Sequence, residues 1–292
     1  MIGRTMGLLC ALAWAAPLAA QVQLRLGDAG RATYSELHEG LRLGTPQADS
    51  VLALLRESRP APLWRRMRRS LAGTAPWPDA FAALTRLAEL RSAAYADSAR
   101  RLAARIARGR VAAPPGRDAG DLMESLRAVQ LERERAVQGD DAVRARLLAQ
   151  VDSGRYGTAE AWVLGRLGQC AVEGLGRRFL GASTEADRVR LLTLLGFSSD
   201  PAGTSLLARV YAAPDSFGVP ARAAGRASDG LLWIGTRESL TALRAARGTA
   251  RARGVYDDPS LGRGGYDFLA NDSSLVMSRT GRWLDEWIAT LP

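Results

Sequence analysis

Few side chains in this 292-residue chain are of types that do chemistry. The first candidates are the glycines of WVLGRLGQCAVEGLGRRFL, Trp162 to Leu180. Glycine-rich turns at helix starts can cradle phosphate with backbone N–H groups. However, no strand pattern precedes Gly165, Gly168, Gly174, Gly176 and Gly181, and no Gly-Lys-Ser/Thr sequence occurs, so neither a dinucleotide fingerprint nor a P-loop is present. Helix ends and close helix–helix approach explain these glycines better. His38 is the only histidine, so any triad or histidine acid–base pair must use it. Its setting, YSELHEGLRL, reads as an amphipathic helix with a surface or edge imidazole.

Asp257, Asp258, Asp267 and Asp272 form the one oxygen-rich cluster, in a long polar loop over residues 253–274. Such hard donors suit calcium, but the spacing lacks the DxDxDG order of an EF-hand. Asp and Gly together are also what solvated turns use. No carboxylate pair stands out for glycoside hydrolysis. One histidine and, once Cys10 leaves with the leader described below, one cysteine cannot build an ordinary zinc site. No cofactor and no metal is expected.

The remaining candidates are cationic. All 40 basic residues are arginine, against 30 acids, for a net charge of +10. Complete absence of lysine beside abundant Ala and Gly is the mark of GC-rich codon usage, so the count alone establishes no polyanion partner. Export also argues against nucleic acid as the partner. Runs occur at Arg65, Arg66, Arg68 and Arg69 in WRRMRRSL, at Arg177-Arg178, and at Arg188 and Arg190. Guanidinium forks pair bidentately with carboxylate or phosphate.

The elements that must position these groups are helical. Ala, Leu and Arg dominate and aromatics make up only 6%, a composition of strong helix formers. Hydrophobic residues at 47% and a mean hydropathy of −0.10 fit a soluble, core-forming protein. Residues 1–20, MIGRTMGLLCALAWAAPLAA, read as a signal peptide: Arg4, a short apolar run, then small residues. Cleavage after Ala20 would start the mature chain at Gln21 with a charge of +9 and send it to the periplasm or outside the cell. Cys170 is then alone, without a disulfide partner, and reads as a small buried apolar residue.

Residues 158–248 alternate helix starts with stops. Thr184 caps a helix with Asp187 three residues on, carrying Val189, Leu192 and Leu195 inward to a stop at Gly196. Asp200-Pro201 opens the next, with Leu206, Leu207, Val210 and Tyr211 as its stripe and Pro214 as its end. Residues 219–235 form another helix, ended by Gly235. Thr236 then caps a helix with Leu240 and Leu243 inward and Gly248 as the stop. Upstream, residues 158–168 end near Gly168, and residues 170–180 put Val172, Leu175 and Phe179 at helical spacing. Turns this short make neighbours antiparallel.

Here the chain resembles the HEAT-repeat family. VLGRLGQCAVEGLGRRFL, VRLLTLLGFSSDPAGTSLLARV and GLLWIGTRESLTALRAA look like its paired helices, and LRLGTPQADSVLALLRES is a fourth copy. The resemblance implies an all-α fold, an α-solenoid of antiparallel helix pairs whose relatives mostly bind macromolecules. The division it suggests is a signal peptide (1–20), an irregular N-terminal helical part (21–108) with Leu84, Leu87 and Leu102 inward, a Pro/Gly linker (109–120), and HEAT-like repeats (121–292). A closing helix near 274–290, carrying Trp283 and Trp287, would cap the array. The expected function is a non-catalytic scaffold for an acidic protein partner, with no nucleic acid and no membrane span. Arg177, Arg209 and Arg244, on successive second helices, are the expected contact residues. The alternative is an enzyme of hydrolase or helical-toroid type drawing on loop carboxylates.

Overall fold

The structure, a computed structural model, describes residues 46–255. The leader, His38, the aspartates Asp257, Asp258, Asp267 and Asp272, and the closing helix with Trp283 and Trp287 lie outside the described residues. Within them the protein is helical, with no strand. Twelve α-helices follow one another: α1 (Pro46–Arg56), α2 (Pro60–Leu71), α3 (Trp77–Leu90), α4 (Ala93–Ala107), α5 (Met123–Gln138), α6 (Asp140–Asp152), α7 (Thr158–Arg166), α8 (Gln169–Gly181), α9 (Glu185–Ser198), α10 (Thr204–Ala212), α11 (Ala221–Ile234) and α12 (Arg237–Ala252). None of the described helices is long and apolar enough to cross a membrane.

Local chemistry sets several of these boundaries. The Thr184 hydroxyl oxygen accepts the Asp187 N–H at 3.0 Å, and Thr236 accepts the Ser239 N–H at 3.1 Å; each relieves a donor that a helix start leaves unpaired. Asp200 accepts the Ala202 N–H at 2.8 Å and Pro201 opens a 3₁₀ turn that leads into α10. Gly235 ends α11 in the left-handed region at φ 63°, where the lack of a Cβ removes the steric cost. The start of α7 is capped from another helix: the Glu124 carboxylate on α5 accepts the Ala159 N–H at 2.7 Å and the Thr158 hydroxyl at 2.9 Å.

The odd-numbered helices touch in turn, α1 on α3, α3 on α5, α5 on α7, α7 on α9 and α9 on α11. The even-numbered helices pack alongside: α2 on α3, α4 on α5, α8 between α7 and α9, and α12 on α10 and α11. Residues 109–118 carry no helix, yet the core continues past them because α3 packs on α5. One apolar cluster extends from Val51 to Ala246 and includes most of the inward residues expected from the periodicity, among them Leu84, Leu87, Leu102, Val172, Leu175, Phe179, Leu192, Leu195, Leu207, Val210, Tyr211, Leu240 and Leu243. Leu206 only packs against it half-buried, and Val189, expected inward, lies outside it.

Three expectations are corrected. Gly196 is no stop: α9 runs on to Ser198, and Ser199 takes the left-handed cap at φ 52°. Gly196 instead lets α11 approach, since a Cβ there would meet the Arg226 carbonyl at 3.2 Å and Gly230 at 3.3 Å. Gly248 also lies inside its helix, because α12 continues to bury Ala250. Cys170 is exposed: it sits in the first turn of α8, opposite the side that buries Ala171, Val172, Leu175 and Phe179.

Candidate functional site

Many of the described acids are used between helices. Glu132 on α5 is fully buried. One carboxylate oxygen accepts the Arg166 Nε–H of α7 at 2.9 Å, and the other accepts the Arg91 Nε–H at 3.0 Å. Arg135 adds a longer contact at 3.5 Å and forks onto Asp140 at 2.6 and 2.7 Å. Arg166 also reaches Glu89 of α3 at 3.3 Å and lies over the Trp162 ring at 4.7 Å. Arg91 occupies the left-handed region at φ 52°, a backbone conformation costly for a residue with a Cβ, and from there its guanidinium reaches Glu132. A second buried acid, Asp79, accepts Arg66 at 2.7 Å and Ser50 at 3.2 Å. These guanidinium–carboxylate links tie neighbouring helices together.

Nearer the surface, Arg178 of α8 forks onto Asp152 of α6 at 2.6 and 2.8 Å, and those hydrogen bonds hold the Asp152 carboxyl below the ordinary range. Arg135 does the same to Asp140. A carboxyl whose folded pKa is lowered adds stability above its unfolded value, about 3.9, and loses it as pH falls through the folded value. Denaturant midpoints should therefore drop on acidification below about pH 4. The Arg178→Ala variant should lose less over that range, by a small margin because the pair is partly exposed. Identical pH slopes for parent and variant would show that Arg178 contributes nothing to acid sensitivity.

Other arginines make no ion pair with a described residue, and one segment carries the excess of positive charge. Residues 59–117 hold thirteen arginines and three acids, a net +10 that equals the charge of the whole chain. This segment spans α2 to α4. Arg65, Arg68 and Arg69 are exposed on α2, and Arg101, Arg105, Arg108 and Arg110 on α4 and the turn after it. A running sum of charge along the sequence would have revealed the segment; reading arginine clusters one at a time does not.

Arg177, Arg209 and Arg244 are exposed on α8, α10 and α12. Leu206 of α10 closes on Gly176 of α8, and α10 packs on α12, so the three arginines lie on successive touching helices. They differ in surroundings. Arg209 lies over the Phe217 ring at 5.3 Å, and Phe217 packs on Phe179 at 6.2 Å. Arg177 shares the outward side of α8 with Leu180, which is 59% exposed. Between α6, α8 and α9 an open groove of about 540 Å³ is lined by Asp152, Arg178, Asp187 and Arg190; its charges already pair with one another. Beside it Tyr156 lies under the Arg190 guanidinium at 5.2 Å, and burial pushes its phenol pKa up. No group of three or more metal-ligating side chains occurs among the described residues. Comparison with protein-family models, with curated proteins and with solved structures finds no match to this chain.

Proposed function

We propose that the chain is an exported, non-catalytic interaction scaffold, a HEAT-like α-solenoid whose α8–α10–α12 side receives an acidic protein. One observation supports the site best: the outward side of α8 sets an exposed Leu180 beside Arg177, next to Arg209 stacked on Phe217. Protein interfaces draw their energy from apolar and aromatic centres with arginine, and this side offers both. Stacked helical pairs present such a side repeatedly along one surface.

The partner is sought in the exported fraction, where N-terminal sequencing should also find the mature chain starting at Gln21. Against the captured partner, Arg177→Glu, Arg209→Glu and Arg244→Glu should each weaken binding only a few-fold, because an exposed ion pair contributes about 0–1 kcal/mol. Together they should cost about 10- to 100-fold, and raised ionic strength should have the same effect. A partner whose affinity ignores both salt and the triple change overturns the site. A mature chain recovered from the cytosol with Met1 intact overturns the export.

A further inference from the structure

We propose that the outward side of α2 and α4 is a membrane-docking surface that holds the protein against anionic phospholipid headgroups. It lies on other helices than the α8–α10–α12 side and does not depend on it.

The placement follows from the helices themselves. On α2 the buried residues are Leu63, Met67, Ser70 and Leu71, and Arg65, Arg68 and Arg69 fall on the opposite side at helical spacing. On α4 the buried residues are Ala96, Ala99 and Leu102, and Arg101, Arg105 and Arg108, at i, i+4 and i+7, form one stripe opposite them. Trp64 and Tyr95 join the two helices, with ring centroids 5.8 Å apart. Their buried sides rest on α3 and α5, which are in contact with each other. Both stripes therefore point away from the same support, as one cationic surface.

That surface is short of counter-charge. Neither Arg65, Arg68 and Arg69 nor Arg105 and Arg108 makes an ion pair with a described residue, and Arg101 donates only to the Ser98 hydroxyl at 3.2 Å. The one acid on α4, Asp97, is taken by Arg100. Across the rest of the chain arginines and acids balance, so the excess belongs to this segment alone.

What the surface lacks selects the partner. Among the described residues the exposed large apolar side chains are Val137 and Leu180, and neither lies on α2 or α4. A protein partner would find no apolar centre to bury. Single-stranded nucleic acid is held by stacking bases on open aromatic rings, whereas Trp64 and Tyr95 are half-buried against each other. A headgroup layer asks for less. It is an extended array of phosphates that attracts cations by surface potential, and guanidinium forks bind phosphate oxygens in pairs. Each cation near such a layer multiplies partitioning about five-fold, so six acting together suffice without insertion of any side chain.

Cosedimentation with vesicles tests this on the full chain. Vesicles of 30% phosphatidylglycerol in phosphatidylcholine should bind the protein at low salt and release it at about 0.5 M salt, while phosphatidylcholine alone should bind weakly. Arg101→Glu, Arg105→Glu and Arg108→Glu together should lower partitioning at least about 100-fold. Arg105→Gln, which removes one charge without reversing it, should lower it about five-fold, so the proposal stays testable if the triple variant fails to fold. Arg177→Glu with Arg209→Glu and Arg244→Glu should leave vesicle binding unchanged. Equal binding to both vesicle types, or indifference to the α4 substitutions, overturns the proposal. So does tighter binding to a short DNA duplex than to the anionic vesicles at matched salt, which would assign the surface to nucleic acid.

Discussion

Glu132→Ala is expected to cost about 3 kcal/mol of stability, the low end of the 3–5 kcal/mol seen when one partner of a buried ion pair is removed. The carboxylate is fully buried and accepts from Arg91 at the end of α3, Arg135 on its own helix and Arg166 on α7. Without it Arg91, Arg135 and Arg166 are left around a missing acceptor, and Arg166 keeps only its ion pair with Glu89 at 3.3 Å. Arg91 and Arg166 are about a third exposed and can turn toward water, while Arg135 keeps Asp140, so the cost stays at the lower end. Against a total of 5–15 kcal/mol for an ordinary domain, this is a large fraction. The thermal midpoint should fall by about 6–12 °C, taking 2–4 °C per kcal/mol for a chain of this size. Glu132→Gln keeps the shape and one acceptor but sets an NH₂ against a guanidinium, and should fall between parent and alanine variant. Arg166→Ala should cost less than Glu132→Ala, because Glu132 then retains two partners. If calorimetry shows Glu132→Ala melting within about 1 °C of the parent, the cluster is not a structural hub.

Gly165→Ala and Gly248→Ala should change stability in opposite directions, although both glycines lie in the second half of the array and helix propensity treats them alike. Propensity alone favours alanine by about 0.8–1 kcal/mol inside a helix. At Gly248 a Cβ meets nothing within 4 Å, so this gain should appear nearly whole. At Gly165 the Cβ would overlap the Ser198 carbonyl oxygen in the last turn of α9, and the obstacle is backbone, which no rotamer change can clear. The helices must part, at the 1–3 kcal/mol or more typical of overpacking. Gly230→Ala should behave like Gly165→Ala, since its Cβ would fall 2.6 Å from the Gly196 Cα. Matched urea titrations of the variants check the signs. A stabilised Gly165→Ala would mean that α7 and α9 do not approach as closely as described.

These glycines show where sequence reading stops. The all-helical class, the caps at Thr184 and Thr236 and the inward leucines were legible, because a cap is a contact across three residues and an apolar stripe repeats every three or four. Gly235 was legible as a stop for the same reason. Gly196 and Gly248 carry the same local signature and were misread, since a glycine inside a helix and one just past its end differ only in what the next helix does. Cys170 was misread because its exposure depends on which side of α8 faces α7 and α9. The candidate residues Arg177, Arg209 and Arg244 were readable as outward by periodicity, but the apolar setting beside two of them, Leu180 and Phe217, was not. Composition likewise gave the total charge without its location among helices. The sequence by itself determined where helices start and which side of each is apolar, because those terms act over a single turn. Only the tertiary structure decided which arginines are consumed by Glu132, Asp79 and Asp152 and which remain outward on α2 and α4, because the interhelical ion pairs of those three acids join residues 13 to 41 positions apart.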